Sequence, residues 1–326
     1  MKKYVFAAFL GLLLVSSCKK DEPVSEPQQP FYRLYNVGKF QLTTDVSKDQ
    51  VNMLFQVLDE NHRGVQGLNS VGLYELLDYQ DDMTQSVEAN VRIDTFGAIP
   101  VTVNTVMLLD LSKSVEGLVP QIKQAAITFI KSSIAQQKIA IYTFDGDAPK
   151  LRIDFTTNKA QLESAISSLP ETALGTSTNL YEALITAVDK LPAEKYATDE
   201  IIQSNVLLFT DGKEEASPQN KSTAINKALQ ATVFVAALQS QSLDEPTLQQ
   251  LASPGNYFKA GSAGDLEARF ADIQRDIYLL SRSVYWLYYQ SPRKGNNDWD
   301  IFLRFKDNRN TGDDSYADGK YSSDGF

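Results

Sequence analysis

The stretch Val103-Asn104-Thr105-Val106-Met107-Leu108-Leu109-Asp110-Leu111-Ser112-Lys113-Ser114 decides how this chain is read. A run of β-branched and aliphatic residues stops at Asp110, and hydroxyls follow at alternate positions, Ser112 and Ser114. The run predicts a buried strand. A buried strand that brings a carboxylate and two hydroxyls to its C-terminal tip is a natural seat for a hard cation, because such ions take oxygen ligands and need few protein carboxylates.

Beyond Asp110 the hydrophobic period changes. Val115, Leu118, Val119, Ile122, Ala126, Phe129 and Ile130 recur at helical spacing, with Pro120 in the first turns, where a missing N–H is tolerated. Apolar runs predict strands at 139–144, 205–210, 232–238 and 257–259. Helical patterns fall at 159–169, 180–188, 223–229, 245–251 and 266–280. This alternation predicts an α/β domain with a mainly parallel sheet covered by helices on both faces. In such sheets a ligand sits outside the C-terminal strand ends, at the point where the strand order reverses. Three pieces of sequence fall at those ends: Asp110 to Ser114, the loop Gly175-Thr176-Ser177-Thr178-Asn179-Leu180, and Thr210-Asp211-Gly212. Their carboxylates and hydroxyls suit Mg²⁺ or Mn²⁺, Ca²⁺ less well, and zinc or copper poorly.

Asp110-Leu111-Ser112-Lys113-Ser114 matches the D-x-S-x-S pattern of von Willebrand factor A domains. A Thr in a Gly- and Thr-rich loop and an Asp in T-D-G follow in that family's order. The resemblance runs from about Thr105 to Ile277. It implies a Rossmann-like fold and a metal-ion-dependent adhesion site built from Asp110, Ser112, Ser114, Thr178 and Asp211. Thr178 is chosen over Thr176 because Asn179-Leu180-Tyr181-Glu182-Ala183-Leu184 then falls in register with the family's T-x-L-[YH]-[DE]-[AG]-L. In the family the serines bind metal directly and the aspartates often act through water. The cation keeps a position for an acidic side chain of a protein partner, so the resemblance implies an adhesion or interaction module and not an enzyme. Taken singly, Ser112 and Ser114 also read as helix caps before Val115, and Asp211-Gly212 as a strand-ending turn.

The N-terminus reads as an address. Lys2 and Lys3 precede an apolar run from Tyr4 to Val15 that is too short to span a membrane comfortably. Val15-Ser16-Ser17-Cys18 resembles the lipobox of bacterial lipoproteins, which implies cleavage of residues 1–17 and a lipid on Cys18. Residues 18–30 are polar and read as a tether, and Lys20-Asp21-Glu22 resembles a surface-export signal. The expected location is the bacterial outer membrane, held by lipid, with exposure at the cell surface open.

Residues 31–100 are β-rich and predict a small antiparallel sandwich, with strand-like runs at 31–40, 51–58, 73–77 and 87–96. The turn Asp59 to Gly64 and the following Val65-Gln66-Gly67-Leu68 resemble the immunoglobulin-like module ahead of some bacterial von Willebrand factor A domains. After the α/β segment (101–282), residues 283–326 predict a hairpin of Val284–Tyr289 with Trp299–Phe305, turning at Gly295-Asn296-Asn297. A hairpin alone is marginal, so it is expected to pack with the 31–100 module.

Composition excludes several functions. A formal net charge of −10 argues against nucleic acid, which requires a basic surface. The single Cys18 allows no internal disulfide, and the single histidine, His62, lies in a predicted turn. A Ser-His-Asp triad and most zinc sites therefore fail. Mg²⁺-dependent phosphotransfer is the alternative reading, but that chemistry wants a second Asp two residues after Asp110, where Ser112 stands. A structural envelope protein with a vestigial site is a further alternative.

Overall fold

The computed structural model describes residues 32–35, 41–68, 75–78, 81–83, 89–94, 100–172, 174–197, 199–304 and 316–326. Cys18 and the segments read as signal peptide and tether lie outside the described residues. Among the described residues the first strands are β1 (Tyr32–Tyr35), β2 (Gln41–Asp45), β3 (Gln50–Asp59), β4 (Glu75–Asp78), β5 (Asp81–Asp82) and β6 (Arg92–Asp94). The α/β segment follows as β7 (Val101–Asp110), α1 (Val119–Ser132), β8 (Gln137–Phe144), β9 (Lys150–Thr156), α2 (Lys159–Ser167), α3 (Leu180–Lys190), β10 (Lys195–Tyr196), β11 (Ile201–Thr210), α4 (Lys221–Ala228), β12 (Thr232–Leu238), α5 (Glu245–Leu251), β13 (Tyr257–Ala260) and α6 (Leu266–Ser281). The described strands after α6 are β14 (Val284–Gln290), β15 (Asp298–Arg304) and β16 (Tyr316–Ser322).

The α/β sheet has the order β13-β12-β11-β7-β8-β9, with the short β10 on β11. β7 pairs in parallel with both β8 and β11. It is covered on both faces: Val103, Met107 and Leu109 enter the core shared with α1 and α6, while Val106 and Leu108 enter the core shared with α3, α4 and α5. Burial on two faces is why its sequence is a continuous apolar run. From β7 the chain leaves through α1 to β8 on one side; it returns through α2 and α3 to β11 on the other. The tips of β7 and β11 thus flank the reversal point. The sheet is mixed, because β9 runs antiparallel to β8 as an edge strand. Sequence reading passed over β9, although Leu151, Ile153 and Phe155 alternate with polar residues at strand period.

The remaining strands form two sheets, β1-β3-β14-β6 with β2 also on β3, and β16-β15-β4-β5. β14 pairs antiparallel with β3 from Val284↔Gln56 to Gln290↔Gln50. The α/β segment therefore lies, in sequence, between strands of one sheet. The expected pairing of 284–289 with 299–305 does not occur: β14 lies in the first sheet, and β15 pairs with β16 and β4 in the second. The reason lies in β14. Tyr285, Leu287 and Tyr289 point into the core between the two β-sheets, whereas Val284 and Trp286 join the α/β core. A strand with two apolar faces must be covered on both, so it takes an interior place between two cores. Tyr289, Ser291 and Tyr321 then tie the two sheets through their hydroxyls, with Ser291 Oγ 2.8 Å from Tyr321 Oη.

The two parts meet closely around the end of α6. Gln56 donates through Nε2 to the Leu280 carbonyl and to Ser283 Oγ, at 3.2 and 2.9 Å. Arg63 sits 3.6 Å from the buried Asp276 carboxylate of α6. Gly64 lies so near that a Cβ there would collide with the Leu279 carbonyl oxygen. Gly64→Ala is expected to lower stability by about 1–3 kcal/mol through this overpacking. Urea unfolding of the variant against wild type measures it.

Candidate metal centre

Asp110 is the last residue of β7 and is fully buried. Its Oδ1 accepts the Ser112 N–H at 2.9 Å, and its Oδ2 accepts the Thr210 hydroxyl at 2.6 Å from the neighbouring strand tip. The Thr210 hydroxyl also accepts the Gly212 N–H at 3.2 Å, so one side chain joins both strand ends. Ser112 opens a single 3₁₀ turn, Lys113–Val115, but its hydroxyl makes no capping hydrogen bond. Instead Ser112 Oγ lies 3.1 Å from Ser114 Oγ, and Ser114 donates to Asp211 Oδ1 at 2.6 Å. Helix capping therefore does not account for Ser112.

Thr178 is buried, and a Cβ placed on Gly212 would lie 3.7 Å from Thr178 Oγ1 and 3.8 Å from Ser114 Oγ. Both hydroxyls thus converge over Gly212. Thr176 is exposed in the same loop. The structure brings Asp110, Ser112, Ser114, Thr178 and Asp211 to one place, with Ser114 on its exposed side and the other four buried.

Sequence reading gave no role to Thr210 or to Asp145. Asp145 follows β8 directly and is buried. Its carbonyl accepts the Asn179 N–H at 2.6 Å, and its Cβ would be 2.9 Å from a Cβ on Gly175. Asp145 therefore braces the loop that carries Thr178, and Gly175 is needed for that close approach. The signal was present in Asp145-Gly146-Asp147 at the end of a predicted strand. On the other side Glu214 accepts the N–H groups of Tyr181 and Ala216, at 2.9 and 2.7 Å, and joins the T-D-G loop to the start of α3. Ser240 donates to the Asp211 carbonyl.

The electrostatics follow from burial. Desolvation pushes the Asp110 carboxyl up to about 6, against the lowering effect of its donors Thr210 and Ser112. Desolvation also raises Asp211, partly offset by Ser114. Among the described residues no lysine or arginine pairs with either carboxylate. Two buried acids without a cation are costly. Oxygen donors alone surround them, and among the described residues no group of three His, Cys, Asp or Glu side chains gathers into a metal cage. Two carboxylates with three hydroxyls fit a hard divalent ion that keeps some of its waters.

The sequence profile of the von Willebrand factor type A domain matches residues 104–273, more than half of the chain. The chain belongs to that family. No curated protein matches. Among solved structures, proximal thread matrix protein 1 from the mussel byssus, in a form with a zinc-occupied MIDAS motif, is 17% identical with a TM-score of 0.47. The match covers 56% of this chain and 49% of that one, so the chain spans about half the length of the mussel protein. A von Willebrand factor type A protein from Catenulispora acidiphila is 10% identical over 91% of this chain and 74% of its own, at a TM-score of 0.48. The vWF domain of the type V pili tip protein Mfa5 from Porphyromonas gingivalis is 15% identical over 56% of this chain and 97% of its own, at 0.44.

The raised Asp110 gives a signed pH dependence. Between the unfolded value of 3.8 and the folded value of about 6, the unfolded state ionises first, so metal-free stability falls as pH rises through this window. The full penalty, on the order of 2–3 kcal/mol, is present above it. In EDTA, Asp110→Asn is expected to lose less stability than wild type between these pH values. Parallel urea titrations at several pH values measure the difference.

Proposed function

We propose that the chain is a binding module that uses Asp110, Ser112, Ser114, Thr178 and Asp211 to hold a divalent cation, Mg²⁺ or Mn²⁺, and through it an acidic residue of a protein partner. The observation that carries this reading is the convergence of two buried carboxylates and three hydroxyls at the reversal point of the sheet, with no cationic side chain among the described residues to neutralise them. A bound divalent ion would supply that positive charge and an electrophilic position for a partner's carboxylate. Thr210 and the Ser112 N–H hold both oxygens of Asp110, which favours contact through water over direct ligation. Ser114, on the exposed side, marks where a partner would approach.

A binding role is favoured over phosphotransfer by the residues at hand. Ser112 occupies the position where such chemistry wants a second aspartate. His62 lies on the turn after β3, within the β-strand part of the chain. We further propose anchoring by lipid on Cys18 in a bacterial outer membrane, motivated by the Val15-Ser16-Ser17-Cys18 sequence. Among the described residues no helix is long and apolar enough to cross a membrane.

Mg²⁺ at a hundredfold excess over its Kd is expected to stabilise the protein by about 2.7 kcal/mol. Asp110→Ala, Ser112→Ala, Thr178→Ala and Asp211→Ala should each weaken that response, and Thr176→Ala should not. Thermal melts with Mg²⁺ or EDTA decide it; a response unchanged in all four variants would sink the reading. Cys18→Ser is expected to move the protein from the membrane pellet to the soluble fraction, read by fractionation and immunoblot.

A further inference from the structure

Most lysines among the described residues are engaged. Lys48, Lys131, Lys190, Lys195, Lys227, Lys259, Lys294 and Lys320 pair with acids across the surface. Lys123 and Lys150 also pair with acids, while Lys159 and Lys221 donate to uncharged oxygens. Among the described residues only Lys113, Lys138 and Lys213 have neither an ion pair nor a hydrogen bond from the side chain, and all three are exposed. Lys138 lies near the start of β8, at the end of the strand away from the candidate centre. The other two flank the centre: Lys113 stands between Ser112 and Ser114, and Lys213 follows Asp211-Gly212.

A divalent cation between Asp110 and Asp211 would leave those groups with no net charge, in a protein whose formal charge is −10. A partner's carboxylate entering such a site gains from the cation at short range only. The two free ammonium groups extend the positive field beyond it, at the rim, where charges govern encounter and selectivity. Exposed Glu116 and Glu215 lie on the same loops, further along the chain from the coordinating groups than the lysines. Glu214, directly after Lys213, has its carboxylate occupied by backbone N–H groups. On both loops a lysine thus precedes the free acids along the chain, an order that suits a compact group of acids over a long acidic run.

We propose that Lys113 and Lys213 make this rim selective for a protein segment with two or three contiguous acidic residues, one carboxylate directed to the cation and its neighbours to the lysines. The proposal rests on the cation-site reading above, and its test separates the two. The probes are synthetic Gly/Ser peptides that carry either one Asp or three contiguous Asp, measured against the full mature chain in excess Mg²⁺. Wild type should bind the three-Asp peptide at least about fivefold more tightly than the single-Asp peptide, with the gap shrinking as salt rises. Lys113→Gln/Lys213→Gln should close the gap to within about twofold, while Lys138→Gln keeps it. All of these proteins should keep a Mg²⁺-induced rise in Tm, because the coordinating side chains are unchanged. A gap that survives Lys113→Gln/Lys213→Gln, equal affinities in wild type, or no peptide binding despite a normal Mg²⁺ response would each overturn the proposal and leave the cation site standing. Absence of any Mg²⁺ response in wild type would overturn the cation reading, and this inference with it.

Discussion

Two carboxylates at adjacent strand tips, Asp110 and Asp211, are held out of water, and among the described residues no positive side chain meets them. That constraint orders much of the molecule. A group this expensive to bury persists only if its surroundings are rigid and its lone pairs are occupied. The Thr210 hydroxyl and the Ser112 N–H do this for Asp110, and the Ser114 hydroxyl does it for Asp211. The strands beneath are packed on both faces, so the tips cannot drift. What is unfavourable for stability in the metal-free protein is favourable for affinity, because a cation gains what the chain itself leaves uncompensated.

The three loops of the centre are also bound to one another. Asp145 braces the loop of Thr178, Glu214 ties the loop of Asp211 to the start of α3, and Ser240 reaches the Asp211 carbonyl from beyond β12. Such cross-links fix oxygen donors in place before a ligand arrives, which lowers the ordering cost of binding. At the opposite end of α6 the β-strand part packs onto the α/β part without a flexible gap. β14 starts directly after the helix, and Gln56, Arg63 and Gly64 contact or crowd the helix end.

Much of this was legible in sequence where one physical demand produced one pattern. Burial on both faces made β7 and β11 unbroken apolar runs, and the change to helical period after Asp110 marked the crossover. The oxygen-rich tips stood out because carboxylates and hydroxyls interrupt such runs. Signals failed where burial was weak or shared. β9 is a short edge strand whose alternating Leu151, Ile153 and Phe155 are only partly covered, and it was passed over, as was Asp145 in the turn that precedes it. β14 looked like half of a hairpin because a strand covered by two different cores has the same composition as one paired locally.

The sequence by itself determined the α/β class, the order of elements from β7 to α6 and the residue types of the centre, because hydrophobic period and ligand chemistry are local properties. Only the tertiary structure decided that β14 joins β3 while β15 crosses to the facing sheet. Only it set Thr178 over Gly212 beside Ser114 and left Thr176 exposed. It alone separated Lys113 and Lys213 from the paired lysines. Those outcomes depend on which distant surfaces meet, and a charge or a face is satisfied or left open only by what the fold places against it.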